Sequence, residues 1–215
     1  MPPVVAVTGE SKSKNAILVV ELMRELKERG YRVAAIKHSA EAPKIGRTVQ
    51  TGWRDLQAGG EECAISLPGK VVIIKPLPEE TGLDEIASLL GEDYDLVLAE
   101  GFIRPGVPEV EVHPKSGNAR IKTTGKLIAV MTAEPLNTRV RQFPLEDIKA
   151  LADLLEKAFI APQSDRLSLS VNDVPVTLSE FPRDFIGRVI TAMVTGLKGV
   201  SAVKNLRISL RKART

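Results

Sequence analysis

The first 38 residues constrain the fold more than any other part of the chain. Pro3 to Val7 is an apolar, β-branched run that meets Thr8-Gly9 and a stretch of small polar residues and lysines, "ESKSK". From 14 to 29 apolar residues recur at helical spacing (Ile17, Leu18, Val20, Leu22, Leu26), and Gly30 is placed to stop the helix. "YRVAAIKH" over 31–38 is a second strand ending in charge. Strand, helix and strand in so short a span form a βαβ unit, whose two strands run parallel with a right-handed crossover. The expected class is α/β: a mostly parallel sheet flanked by helices.

The later segments extend that pattern. Pro43–Gly52 reads as a loop and Trp53–Ala58 as a short helix closed by Gly59-Gly60. "EECAIS" and "KVVIIKP" flank Leu67-Pro68-Gly69 as a hairpin, and "GLDEIASLLG" is a short helix between glycines. "YDLVLAEGF" (94–102) is a continuous apolar run of the kind that suits a central parallel strand covered on both faces. "EVEVH" (109–113) and "KLIAVMT" (126–132) are further strands, and "PLEDIKALADLLEKAFI" is a helix with Pro144 and acids at its start. Residues 1–161 are thus expected to form the α/β domain. Residues 162–215 are expected to form a small basic ββαβ appendage packed on it: two strands around Asn172-Asp173, an amphipathic helix carrying Phe185, Val189, Ala192, Met193 and Leu197, and a last strand, "KNLRISL".

Charge divides along the same boundary. Residues 162–215 hold nine Lys/Arg against four Asp/Glu, a net +5, while the rest of the chain is at −2. A basic end attracts anions or acidic partners, or simply aids solubility. Nucleic acid is disfavoured, because no finger, RNP or helix-turn-helix pattern is present and aromatic residues make up only 4% of the chain, too few for stacking platforms. No apolar run approaches the roughly 20 residues that span a bilayer, and the start lacks a basic, apolar leader. The single Cys63 excludes an intrachain disulfide and a cysteine zinc cluster. The cytoplasm is the expected compartment.

An open parallel sheet binds ligands at the carboxyl ends of its strands. Three candidate positions fall there: the turn after the first strand, Lys37-His38 after the second, and Glu100 in "LAEGF". The first turn sits where a phosphate-binding loop G-x-x-x-x-G-K-[ST] is expected. Counted from Gly9, however, the second glycine is Lys14, the lysine is Asn15 and the hydroxyl residue is Ala16. Glu100 stands where P-loop proteins keep a metal- or water-directing acid, or else it is a strand-end acid that pairs with Lys37 or caps a loop. His38 and His113, the two histidines, read as packing or hydrogen-bonding residues, and Cys63 as core.

"AVTGESKSKNAILVVELMRELKERGYRVAAIKHS", "WRDLQAGGEECAIS" and "YDLVLAEGF" together resemble the molybdopterin-guanine dinucleotide biosynthesis protein B family over residues 3–158. The resemblance implies a P-loop-type sheet, GTP with Mg²⁺ or molybdopterin as ligand, and a homodimer. It also implies, as partner, the nucleotidyltransferase that attaches a guanine nucleotide to the molybdenum cofactor, or a molybdoenzyme. On that basis Gly9, Glu10, Ser11, Lys12, Ser13, Lys14, Asn15 and Ala16 would hold phosphate; by their place at the neighbouring strand ends Lys37 and His38 would flank it, with Glu100 as the metal or water-directing carboxylate.

The departures bear on this. Asn15 is too short and neutral to reach a β/γ-phosphate, Ala16 has no hydroxyl for Mg²⁺, and Thr51 replaces an acid the family carries in that region. Backbone N–H groups and the charges of Lys12 and Lys14 remain to attract an anion. The expected activity is at most a weak GTPase: an accessory protein that binds GTP or a phosphorylated pterin. The alternative is a pseudo-GTPase scaffold that binds no nucleotide.

Overall fold

The computed structural model describes residues 1–39, 54, 56–58, 62–77, 81–102, 105–113, 125–163, 167, 169–172, 174–200, 202–203 and 206–210. Six strands form one sheet: β1 (Val4–Gly9), β2 (Val33–Lys37), β5 (Leu96–Glu100), β6 (Pro108–His113), β7 (Lys126–Thr132) and β8 (Arg141–Pro144). Their order is β2-β5-β1-β6-β7-β8, and every pairing is parallel. Between β2 and β5 in the chain, β3 (Cys63–Leu67) and β4 (Lys70–Ile74) make the expected antiparallel hairpin. The Pro43–Gly52 loop and Thr51 lie outside the described residues, while Arg54, Leu56 and Gln57 of the expected short helix are helical.

Helix α1 (Lys12–Glu28) returns the chain from β1 to β2. It begins two residues earlier than periodicity suggests, because Ser11 caps it: the Ser11 side chain accepts from the Lys14 N–H at 3.4 Å. Its end is a Schellman turn, with Gly30 at φ +93 donating to Lys27 and Tyr31 donating to Leu26. One face of the sheet buries Val5, Val7, Leu96, Leu98, Val110, Val112, Ala129 and Met131. Leu18, Val19, Leu22 and Leu26 of α1 pack on it, with Leu151, Ala152 and Leu155 of α3 (Ile148–Leu155). Leu22 and Leu26 are fully buried, each worth about 2 kcal/mol of apolar burial. On the opposite face Leu83 and Ala87 of α2 (Leu83–Leu90) cover Val4, Ala34, Ile36, Val97 and Ala99. Alternation along each strand therefore decides which side chains face α1.

Two expectations are corrected. Pro144 does not open the closing helix. It ends edge strand β8, in register with Thr132, where a residue lacking an N–H is tolerated, and α3 starts later under an Asp147 cap that accepts from Ala150 N–H at 3.1 Å. In the C-terminal segment, β9 (Leu169–Val171) and β10 (Val174–Val176) pair antiparallel and α4 (Glu180–Thr195) follows, but 206–210 form no strand. Leu206, Ile208 and Leu210 alternate correctly, yet no described strand edge lies beside them and all three are exposed. Nor does α4 pack as expected: Phe181, Phe185, Val189, Met193 and Leu197 are exposed, and Phe181 stacks on Phe185 instead.

Candidate functional site: a crevice at the strand ends

The β1–α1 turn holds just Glu10 and Ser11 between the strand and the first helical residue. Gly9 takes φ +146, and a Cβ there would lie 2.5 Å from the Val112 carbonyl oxygen and 2.8 Å from Asn15 Oδ1. Only glycine fits that backbone against β6. Asn15, one of the residues expected to meet phosphate, is buried and turned inward: its Nδ2 donates to the Gly9 carbonyl at 3.2 Å. Its Oδ1 is buried with no hydrogen-bond partner among the described residues. Lys12, Ser13 and Lys14 are exposed on the first turn of α1, Ser13 within hydrogen-bonding distance of Ser11 at 3.1 Å, and Ala16 is half-buried. Glu10 is exposed.

Lys37 and Glu100 are brought together. Lys37 is opposite Glu100 in the β2–β5 register, and its Nζ lies 2.9 Å from Glu100 Oε2. Glu100 in turn lies beside Val7, two residues before Gly9, and by alternation with Leu96 and Leu98 it faces α1. The two side chains differ in access: Lys37 is 58% exposed, Glu100 only 16%. The contact is an ion pair without aligned hydrogen-bond geometry. Of the two sequence readings of Glu100, this is the geometry of the strand-end acid paired with Lys37. His38 points to the other face. Its N–H donates to the Glu100 carbonyl at 3.0 Å, and its ring lies 5.2 Å from that of Phe102.

Sequence reasoning missed a row of polar residues on the face away from α1. Thr8 Oγ1 donates to Glu109 Oε1, and His113 Nε2 lies 2.9 Å from Glu111 Oε1. Thr8, Glu109, Glu111, His113 and Thr132 are all buried. The signal was visible in "EVEVH": strict alternation marked one polar face, which sequence alone assigns to water. His113 is packed in this buried row, its Nε2 close to Glu111 without aligned hydrogen-bond geometry.

The donor set does not suit Mg²⁺. An octahedral oxygen shell normally draws on the loop hydroxyl and a nearby carboxylate. Ala16 supplies no oxygen, and Glu100 is held by Lys37. Among the described residues no three His, Cys, Asp or Glu side chains converge as a metal site. A cavity of about 300 Å³ opens beside the turn between α1 and the start of α3, lined by Lys14, Ile17, Leu18, Glu21, Leu145 and Ile148.

The fold has counterparts. Residues 4–133 match the model of the family described as molybdopterin guanine dinucleotide synthesis protein B. The chain belongs to that family. It is 28% identical over 156 residues to the molybdopterin-guanine dinucleotide biosynthesis adapter protein of Haemophilus influenzae, covering 72% of this chain and 88% of that one. A crystal structure of molybdopterin-guanine biosynthesis protein B superposes with a TM-score of 0.60 at 26% identity, over 72% of this chain and 97% of the other. Bacillus subtilis MobB shares the fold at 20% identity with a TM-score of 0.54, over 73% and 98%. The six-stranded parallel sheet between helices is thus a P-loop-like α/β fold, and the family's work is molybdopterin guanine dinucleotide biosynthesis. Nearly the whole length of each solved relative is matched by under three quarters of this chain.

Proposed function

We propose that this protein is an accessory or adapter protein of molybdopterin guanine dinucleotide synthesis, holding GTP or a phosphorylated pterin in the strand-end crevice with little or no hydrolysis. The observation that carries it is the N-terminal turn of α1, set at the end of the central strand of a family-matched sheet and carrying Lys12 and Lys14 on exposed positions. Helix N–H groups and lysine charge together attract a phosphate. The missing hydroxyl at Ala16 removes a metal ligand, which supports binding without efficient turnover. The partner in this reading is a molybdenum cofactor nucleotidyltransferase or a molybdoenzyme, and the working form is a cytoplasmic homodimer. No described helix is long and apolar enough to cross a membrane.

A second reading, a scaffold that binds no nucleotide, is favoured by the shortness of the β1–α1 turn and by Asn15 filling its inner side. Titration calorimetry with GTP separates the two. Heat corresponding to micromolar affinity is the expected result. Silence up to millimolar GTP from folded protein selects the scaffold.

A further inference from the structure

We propose that Lys37 adds to Lys12 and Lys14 a phosphate-binding cation at the strand ends beside the β1–α1 turn, that Glu100 is its counter-ion in place of a metal ligand, and that a phosphate-bearing ligand is therefore bound without help from Mg²⁺. This rests on the reading that the crevice takes such a ligand at all. Two positions that would normally grip phosphate and metal are occupied by Asn15 and Ala16. The Asn15 amide is bent onto the Gly9 carbonyl, leaving a buried oxygen with no hydrogen-bond partner among the described residues and no charge to offer.

Lys12 and Lys14 stay at the mouth of the turn, so a cation from the sheet side must come from a neighbouring strand end. Among the described strand residues whose side chains face α1 at the carboxyl ends, Lys37 is the cation and Glu100 the carboxylate, and they are 2.9 Å apart. Their unequal burial gives each a role. Lys37 is 58% exposed on a flexible four-carbon stem, so its ammonium can leave the carboxylate for an incoming phosphate. Glu100, 16% exposed and anchored beside Val7, stays in place. A phosphate drawn to the lysine meets the Glu100 charge within a few ångströms, where like charges repel appreciably. The carboxylate therefore opposes the ligand it has been expected to help bind through a metal.

The two roles of Glu100 predict opposite signs, and the test uses them. Binding of GTP and of inorganic pyrophosphate is measured by calorimetry at about 50 mM salt, where screening is weak, with Mg²⁺ and with EDTA. The wild type, Glu100→Gln, Lys37→Met and Lys37→Arg are compared after their melting curves have been matched. Glu100→Gln should tighten binding about 5- to 10-fold, and Lys37→Met should weaken it about 10-fold or more, because a charge-assisted bond to phosphate is lost. Lys37→Arg should restore most of the affinity, and Mg²⁺ should bring no gain in any variant. Weaker binding by Glu100→Gln, unchanged binding by Lys37→Met, or affinity that requires Mg²⁺ overturns the assignment while leaving a phosphate site in place. No heat from either anion in wild type and Glu100→Gln alike removes the phosphate site itself, and the role of Lys37 with it.

Discussion

Replacing Arg29 by methionine tests how the crevice is held on its scaffold. Arg29 is the C-cap of α1, and its guanidinium ties α1 to α3. Nε donates to Glu25 at 2.9 Å, Nη1 to Asp153 at 2.6 Å and to Glu156 at 2.9 Å, and Nη2 to the Lys149 carbonyl at 3.3 Å. Glu156 is also bonded by the Tyr31 hydroxyl at 2.9 Å. The hydrogen bonds to Asp153, Glu156 and Glu25 push the Arg29 pKa well above its ordinary value, so the group is charged at every working pH.

Exposed ion pairs contribute little, typically well under 1 kcal/mol each. Here one side chain 22% exposed serves three carboxylates, and it also complements the negative end of the α1 dipole. Methionine keeps most of the apolar stem. Discounted for partial solvation, the loss comes to about 2 kcal/mol, or about 4–8 °C in Tm for a chain of this size. Urea denaturation at low salt should show it. In 1 M NaCl, where the screening length is about 3 Å, the difference should roughly halve. A loss below about 0.5 kcal/mol, or one indifferent to salt, refutes the view that this network, and not apolar contact alone, fastens α1 to α3.

Two further outcomes concern the same framework. The Arg29 and Tyr31 hydrogen bonds lower the Glu156 pKa, so its contribution is present above the ordinary carboxylate range and lost as pH falls through the folded value. The gap between wild type and Arg29→Met in urea midpoint should therefore narrow from neutral toward acid pH; a constant gap would count against the assignment. Gly9→Ala places a Cβ 2.5 Å from the Val112 oxygen at a positive φ, and should cost about 2–3 kcal/mol by thermal or urea unfolding; a neutral substitution would show that the turn relaxes freely.

Much of the architecture was legible in the chain because it is written locally. Apolar runs at 3–8 and 94–102 read as buried strands and the 3.6-residue spacing of 14–29 as a helix stopped by Gly30, each within two residues of the β1, β5 and α1 bounds. Where sequence misled, a distant partner was responsible. Edge strand β8 exists because β7 offers it a register, although "RQFP" carries little strand signal, while Leu206, Ile208 and Leu210 carry that signal without a described partner.

The crevice divides in the same way. That the turn after β1 had lost its lysine and hydroxyl was fixed by residue identity alone, since Asn15 and Ala16 cannot supply those groups in any fold. The partnership of Glu100 with Lys37, 63 positions away, and the burial of Glu109, Glu111 and His113 on the far face were decided by strand order and register. Local spacing specifies which side a residue faces along its own strand. Only assembly of the sheet specifies what it meets there, because cross-strand contact joins residues that the chain's local periodicity does not relate.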